Sequence, residues 1–359
     1  IMPPIMGAAA FIMAEMTGFD YSKIIVRAIL PAFLYFLGIF LGVHFKAKKL
    51  GLKGLPREEL PKWGKLLPKI YLLLPLVLLV YMIVSGQTMA KSAIYATIAA
   101  IAVSLINKDD RMTPTKFVNG LENGGKNCIS IGIACGIAGI ISVCITMTGL
   151  GGKLITYVVS LSNGHLIIAL FLTMICCIVL GMGVPTTANY IIMASTCAPI
   201  LINGMDMHVL AANMFVFYFG IVADITPPVA LAAYAGSAIA KAPPMKTAFN
   251  ATRLAIAAFI IPYIFAFNNA MIFVGDDVTV WSVASITISA TLGMLSIASG
   301  LMGYLIHDLK WISRIALIAG GLLMIIPGTV SDLAGFAVLA AIFVLQTIEN
   351  KKEKKATSV

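Results

Sequence analysis

The stretch GMGVPTTANYIIMAS, Gly181 to Ser195, interrupts a long apolar run with two glycines and a proline, then adds Thr186, Thr187 and Asn189 at once. A helix in lipid must pair its own backbone polar groups, because an unpaired N–H or C=O in hydrocarbon costs several kcal/mol. Gly181 and Gly183 permit backbone angles closed to other residues. Pro185 lacks an N–H and frees a carbonyl in the preceding turn. The stretch therefore predicts a broken helix lining a protein-enclosed cavity. The half ending near Gly181 offers carbonyl oxygens to a cation. The half starting near Pro185 offers N–H groups to an anion.

The surrounding composition makes lipid the relevant solvent. The 359-residue chain is 60% hydrophobic and 11% charged, with a mean hydropathy of +0.99. Apolar runs near the ~20 residues that cross a bilayer recur at roughly 24–44, 68–86, 91–106, 128–148, 164–181, 250–273, 281–303, 313–328 and 333–348. Strand alternation is absent, which argues against a barrel. The net charge of +10 does not signal nucleic acid, because the basic residues sit in short loops between apolar runs, where they encode orientation. Cys128, Cys135, Cys144, Cys176, Cys177 and Cys197 lie in apolar segments without metal-site spacing and read as small packing residues. The opening IMPPIMGAAAF has no initiator Met, basic n-region or cleavage site. It is not a signal peptide, and residues upstream are expected.

Loop charge sets the topology. The segment 46–69, the loop 107–127 with Lys108, Arg111, Lys116 and Lys126, the KAPPMKT loop with Lys241 and Lys246, HDLKWISR, and the basic tail are predicted inside. The SGQTMAK turn, VGDD with Asp276 and Asp277, and the turn near Asp332 fall outside. A helix from 128 then leads out, and 148–164 is a short interfacial helix. The run 164–203 is predicted to cross once, broken at GMGVP, and to end inside at NGMD. Residues 207–240 are left as a re-entrant hairpin with its tip at DITPP, Asp224 to Pro228.

DITPP repeats the chemistry of the first break. Pro227 and Pro228 are tolerated at a helix start, Thr226 is placed to cap it, and Asp224 brings a carboxylate to a depth where ionisable groups are functional by default. One such break reads as an ordinary kink between packed helices. Two, each flanked by Thr and one carrying Asp, point to a secondary transporter built from discontinuous helices. PPIMGAAAFIMAE (3–15) also resembles PPVALAAYAGSAI (227–239), matching Ala8 with Ala232, Ala9 with Ala233 and Ala14 with Ala238, and Arg27 pairs with Arg253 further on. Loop charge orients the two copies oppositely, which makes an inverted repeat.

PPIMGAAAFIMAE, GMGVPTTANYIIMASTCAPIL and DITPPVALAAYAGSAIA resemble the large membrane subunit of tripartite ATP-independent periplasmic (TRAP) transporters over about residues 1–270. The helices from about 280 to 348 resemble the fused permeases of the TAXI branch. The resemblance implies an all-α polytopic membrane protein of the bacterial inner membrane, with inverted repeats, broken helices and re-entrant hairpins, working as an elevator. It implies sodium-driven import of small organic acids such as dicarboxylates, glutamate or 2-oxoglutarate. The implied partners are a periplasmic substrate-binding protein and a small membrane subunit fused upstream. Na⁺ is the coupling ion, and there is no organic cofactor. Carried over by motif, Gly181, Gly183, Pro185, Thr186, Thr187 and Asn189 belong to one ion and substrate half-site. Asp224, Thr226, Pro227 and Pro228 belong to the other. Within these, the sodium ligands fall at Gly181, Gly183, Pro185, Thr187, Asp224 and Thr226, and the carboxylate contacts at Thr186, Thr187, Asn189, Pro227 and Pro228.

The expected layout is a first-repeat remnant at 1–45, cytoplasmic loops and scaffold helices at 46–127, a second repeat at 128–273 and extra helices at 274–359. Residues 1–16 and 164–240 form the mobile core. Glu15, near the end of its arm, is expected at the outer interface, and Arg27 and Arg253 snorkel rather than bind carboxylate. His44, His165, His208 and His307 fall at segment ends without an HExxH pattern. TGLGGK has neither the preceding strand nor the following Ser or Thr of a phosphate loop. A channel and an intramembrane enzyme are the rival classes. The enzyme reading lacks a second intramembrane Asp for Asp224 and a Ser-His pair at depth, and a channel filter is more naturally built by oligomerisation.

Overall fold

The computed structural model describes residues 1–3, 6–56, 58–60, 62–106, 111–275, 278–326 and 328–356. The expectations for Pro4, Lys108, Asp276 and Asp277 lie outside these residues. The protein is an all-α polytopic membrane protein, and no strand occurs among the described residues.

The first helices are α1 (Ala8–Thr17), α2 (Tyr21–Lys49), the single turn α3 (Trp63–Leu66), α4 (Leu74–Val84), preceded by a 3₁₀ stretch at Leu67–Leu73, α5 (Met89–Ile106) and α6 (Pro114–Met147). Next come α7 (Leu150–Ser162), α8 (Leu166–Gly181), α9 (Thr186–Thr196), α10 (Ala198–Met205), α11 (Val209–Ala223) and α12 (Leu231–Ala240). The chain closes with α13 (Pro244–Leu254), α14 (Ile256–Phe267), α15 (Val280–Met302), α16 (Trp311–Leu323) and α17 (Thr329–Ala356).

Helix α6 starts well before the predicted boundary at 128. Pro114 occupies its first turn, where a missing N–H costs nothing, and the Thr113 hydroxyl accepts from Lys116 N at 3.3 Å. A Glu122–Lys126 pair one turn apart, at 2.5 Å, supports the polar extension. The anticipated loop 107–127 is thus mostly helix.

Helix α2 carries Lys46, Lys48 and Lys49 in its last turn, where cations favour the helix C-terminus. Its small residues admit close neighbours: a Cβ added to Gly38 would lie 2.5 Å from the Ala257 Cβ of α14. Helices α15 and α16 approach in the same way, with a Cβ on Gly321 2.5 Å from Ile297 Cγ1. Membrane helix packing relies on such small residues. Of the cysteines, Cys177 and Cys197 are buried, whereas Cys128 and Cys144 are exposed and do not pack a core.

The folding of 164–240 differs from the sequence expectation. Helices α8 and α10 pack against each other. Gly181 faces Asn189 and Met193, and the Cys177 thiol meets that of Cys197. The chain therefore reverses at 182–185, and α8 with α9 and α10 forms a helical hairpin whose tip is GMGVP. Thr186–Met205 is long and apolar enough to cross a bilayer, yet it is the returning arm. Helix α12 does not run back along α11; it packs on α13 through Ala233, Tyr234, Ala248 and Ala251. DITPP is thus the break in a continuing helix, and the hairpin and the broken helix exchange places relative to the prediction. Loop charge could not separate the two arrangements, because one crossing plus one fold-back leaves both ends on the same faces in either order.

Placement of the NGMD turn does separate them. In a background lacking the six native cysteines, His165→Cys and Asn203→Cys are expected to react with an impermeant maleimide from one face, and Lys246→Cys from the other. Labelling of positions 165 and 203 from opposite faces would restore the original order.

Candidate functional site

The two breaks lie side by side. A Cβ on Gly181, the last residue of α8, would sit 2.9 Å from the Ala223 Cβ at the end of α11 and 2.8 Å from Asn189 Nδ2. Gly183 holds a left-handed φ of +76°, and a Cβ there would sit 3.9 Å from Val229 Cγ1. Glycine at 181 thus lets hairpin and broken helix touch, and glycine at 183 lets the tip turn.

Asn189 joins the two elements. It is fully buried, its amide donates to the Gly220 carbonyl at 2.9 Å, and its Oδ1 has no hydrogen-bond partner among the described residues. A second bridge runs deeper, from the Tyr190 hydroxyl to Asn213 Oδ1 at 2.8 Å. Asn213 in turn donates to Val209 O at 2.9 Å. Buried side-chain bonds of this kind fix one arrangement of neighbouring helices.

At the hairpin tip, α9 begins after Pro185 without a side-chain cap. Asn189 N already donates to Pro185 O at 2.9 Å, so the orphan amides belong to the first turn, at Thr186, Thr187 and Ala188. Thr186 is exposed and Thr187 half-buried. The end of α8 is loosely closed: Met182 N reaches Val179 O, and Val184 N reaches Gly181 O, each at 3.5 Å, the long limit of a hydrogen bond. Carbonyls remain available there.

At the second break the backbone is better satisfied than expected. Ile221 O, Val222 O and Ala223 O accept from Asp224, Ile225 and Thr226 N at 3.1 to 3.3 Å, and Asp224 O accepts from Ala232 N at 3.0 Å. Ile225 O accepts from the Thr252 hydroxyl of α13 at 2.9 Å, and Pro228 O from the Tyr234 hydroxyl. Thr226 does not cap the following helix. Its hydroxyl turns back to Val222 O at 2.7 Å, and α12 starts only after Ala230. The reason lies in the prolines, which supply no N–H for a cap to bind. Asp224 itself is half-buried, and no hydrogen bond or ion pair to its carboxylate occurs among the described residues. That carboxylate, not a row of bare carbonyls, is the unpaired polar group that stands out at this break among the described residues.

The structure thus brings Gly181, Gly183 and Asn189 against the end of α11 and the DITPP turn. Pro228 is exposed, and Pro227 and Thr226 are half-buried. Several residues escaped the sequence reading: Tyr190 and Asn213, which make the deeper bridge, Gly220, which receives Asn189, and Thr252 and Tyr234, which hold the DITPP carbonyls. A lone glycine in the apolar run VFYFGIVAD was the signal for Gly220, since such a glycine marks close backbone approach. Thr252 and Tyr234 left no pattern in the sequence.

The arginines lie elsewhere. Arg253 donates to Leu301 O and so closes the end of α15. The Arg27 guanidinium lies 5.5 Å from the Phe19 ring centroid, and its Nη1 is buried without a hydrogen-bond partner. His208, in the turn before α11, has its pKa lowered by burial and by the nearby Arg27 charge.

A family model described as "Tripartite ATP-independent periplasmic transporter, DctM component" matches residues 1–277. No curated protein and no solved structure matches the chain.

Proposed function

We propose that this chain, which belongs to the tripartite ATP-independent periplasmic transporter family as its DctM component, imports small carboxylates in symport with sodium across a bacterial inner membrane. The family is one of secondary transporters that work with a periplasmic binding protein and a small membrane subunit. Here the binding protein delivers the substrate and the small subunit braces the scaffold. The helices beyond residue 277 are consistent with a fused, TAXI-type permease. Hairpin and broken helix move together as the elevator's cargo-bearing part, tied by Asn189 and Tyr190.

One observation carries the reading: two helix interruptions touch, one ending in an uncapped helix N-terminus and the other in a carboxylate that has no partner among the described residues. Amides and hydroxyls of Thr186 and Thr187 suit an anion. Asp224, with carbonyls near Gly181 and Gly183 and the hydroxyls of Thr187 and Thr226, suits a hard cation taken up through oxygen. The carboxylate sits between Thr186, Thr187 and the Pro227–Pro228 turn, with Asn189 beside them.

The test is uptake by proteoliposomes supplied with binding protein and labelled dicarboxylate, glutamate or 2-oxoglutarate. Uptake is expected only under an inward sodium gradient, and Thr187→Val is expected to lower it by roughly tenfold or more, the worth of a hydrogen bond to a charged group. Uptake indifferent to the sodium gradient would defeat the symport reading. Uncoupled downhill conductance would instead favour a channel.

A further inference from the structure

The helices beyond the family match carry a site of their own. Between the start of α16 and the far end of α17 lies a cavity of about 730 Å³. One wall is apolar, formed by Ile312, Ile342 and Leu345, and Ile312 and Leu345 are 83% and 60% exposed. The rim is polar and of mixed charge. Lys310 Nζ stands 3.7 Å from Glu349 Oε1, beyond hydrogen-bond distance, and Ser313 lines the same cavity. Asp308 is engaged by Lys49 at 3.3 Å, so the exposed groups left to a ligand at the mouth are Lys310 and Glu349, loosely paired with each other.

The frame around this mouth is fixed. Gln346 is buried and its Oε1 accepts from Ile306 N at 3.0 Å, pinning α17 to the turn before α16. His307 Nε2 lies 3.5 Å from Glu349 Oε2 but is buried without a hydrogen-bond partner. Trp311 is 71% exposed and stacks under Arg314 at 4.6 Å, as an aromatic residue does at the level of lipid headgroups. An exposed apolar wall below a rim that offers both a cation, Lys310, and an anion, Glu349, fits a molecule with the same division.

We propose that this cavity binds a phospholipid whose headgroup is a zwitterion with a primary ammonium. Its phosphate meets Lys310 and the Ser313 hydroxyl, its ammonium donates to Glu349, and an acyl chain follows Ile312, Ile342 and Leu345. An exposed Lys–Glu pair holds itself together only weakly, so both partners exchange that contact for the headgroup at little cost. A trimethylated ammonium lacks the N–H donors Glu349 requires, and an anionic headgroup lacks the cation altogether.

The full-length protein, purified in detergent and stripped of lipid, is re-exposed to mixed micelles of phosphatidylethanolamine, phosphatidylcholine or phosphatidylglycerol, and bound lipid is counted by native mass spectrometry. Phosphatidylethanolamine is expected to be retained about tenfold better than either of the others, the worth of one charge-assisted hydrogen bond. Glu349→Gln should erase its advantage over phosphatidylcholine. Lys310→Gln should weaken all three alike, and Leu345→Trp, which fills the wall, should lower retention whatever the headgroup. Equal retention of the three lipids, or a preference that survives Glu349→Gln, overturns the proposal. Displacement by millimolar O-phosphoethanolamine without any lipid retention also overturns it, in favour of a soluble zwitterion. None of these readouts depends on transport.

Discussion

Asp224→Asn is expected to abolish sodium-dependent uptake while leaving the protein inserted and monodisperse. The two effects separate because the carboxylate has no partner among the described residues to lose. Removing a charge that is paired inside a protein leaves its partner stranded and costs several kcal/mol. Removing an unpaired one at this depth relieves a desolvation penalty. The variant should therefore unfold in detergent at the same temperature as the wild type or higher when sodium is absent. Sodium then divides the two proteins. A bound cation raises the melting temperature of the wild type by mass action, and this sodium-dependent shift should vanish in Asp224→Asn. A hydrogen bond or contact to a charged group is worth about 1.5–3 kcal/mol, so apparent sodium affinity should fall by roughly tenfold to a hundredfold. Asp224→Ala should behave likewise, since Asn preserves shape and only the charge is at issue. A sodium-dependent melting shift of wild-type size in both variants would remove Asp224 from the ion site, whatever happens to uptake.

How far this architecture was legible depended on which physical signal a feature left in the chain. Pro185 and Gly183 announce a break because they act on the backbone of their own segment, and the helix does stop there. The prolines of DITPP also mark a real interruption. Whether a broken segment folds back or continues is decided by partners far along the chain. Cys177 meets Cys197 and α12 meets α13, and neither pairing has a local signature. Loop charge was blind to the choice for the reason of parity given above. The polar extension of α6 escapes a reading by composition because Lys116, Glu122 and Lys126 look like loop residues, although Glu122 and Lys126, four apart, pair along the helix. At the site, side chains such as Asp224 and Thr187 stand out because polarity in lipid is conspicuous. Thr252 and Tyr234, which hold the carbonyls of the second break, look like any hydroxyl residue in a membrane helix.

Substitution at Gly181 is the most sensitive test of contact between the two breaks. A Cβ there meets three atoms under 3.0 Å: Asn189 Nδ2, Ala223 Cβ and Met193 Cε. They yield unequally. Met193 Cε is the end of a flexible side chain and can swing aside. Asn189 cannot move without losing its bond to Gly220 O, which would leave a buried carbonyl unpaired at about 1–3 kcal/mol. Ala223 Cβ moves only with the α11 backbone. Gly181→Ala is therefore expected to cost about 1–3 kcal/mol as overpacking, and Gly181→Val more, with uptake falling because the tips are pried apart. Adding Ala223→Gly removes the stiffest of the three clashes, so the double variant should recover part of both stability and uptake, a coupling that a double-mutant cycle measures directly. Gly183→Ala provides the contrast. Its Cβ would meet nothing closer than 3.9 Å, so its cost is backbone strain at positive φ, about 1–2 kcal/mol, and Ala223→Gly should not rescue it. If Ala223→Gly rescued both variants equally, or neither, Gly181 would not be the point at which hairpin and broken helix meet, and the shared site would lose its geometric basis.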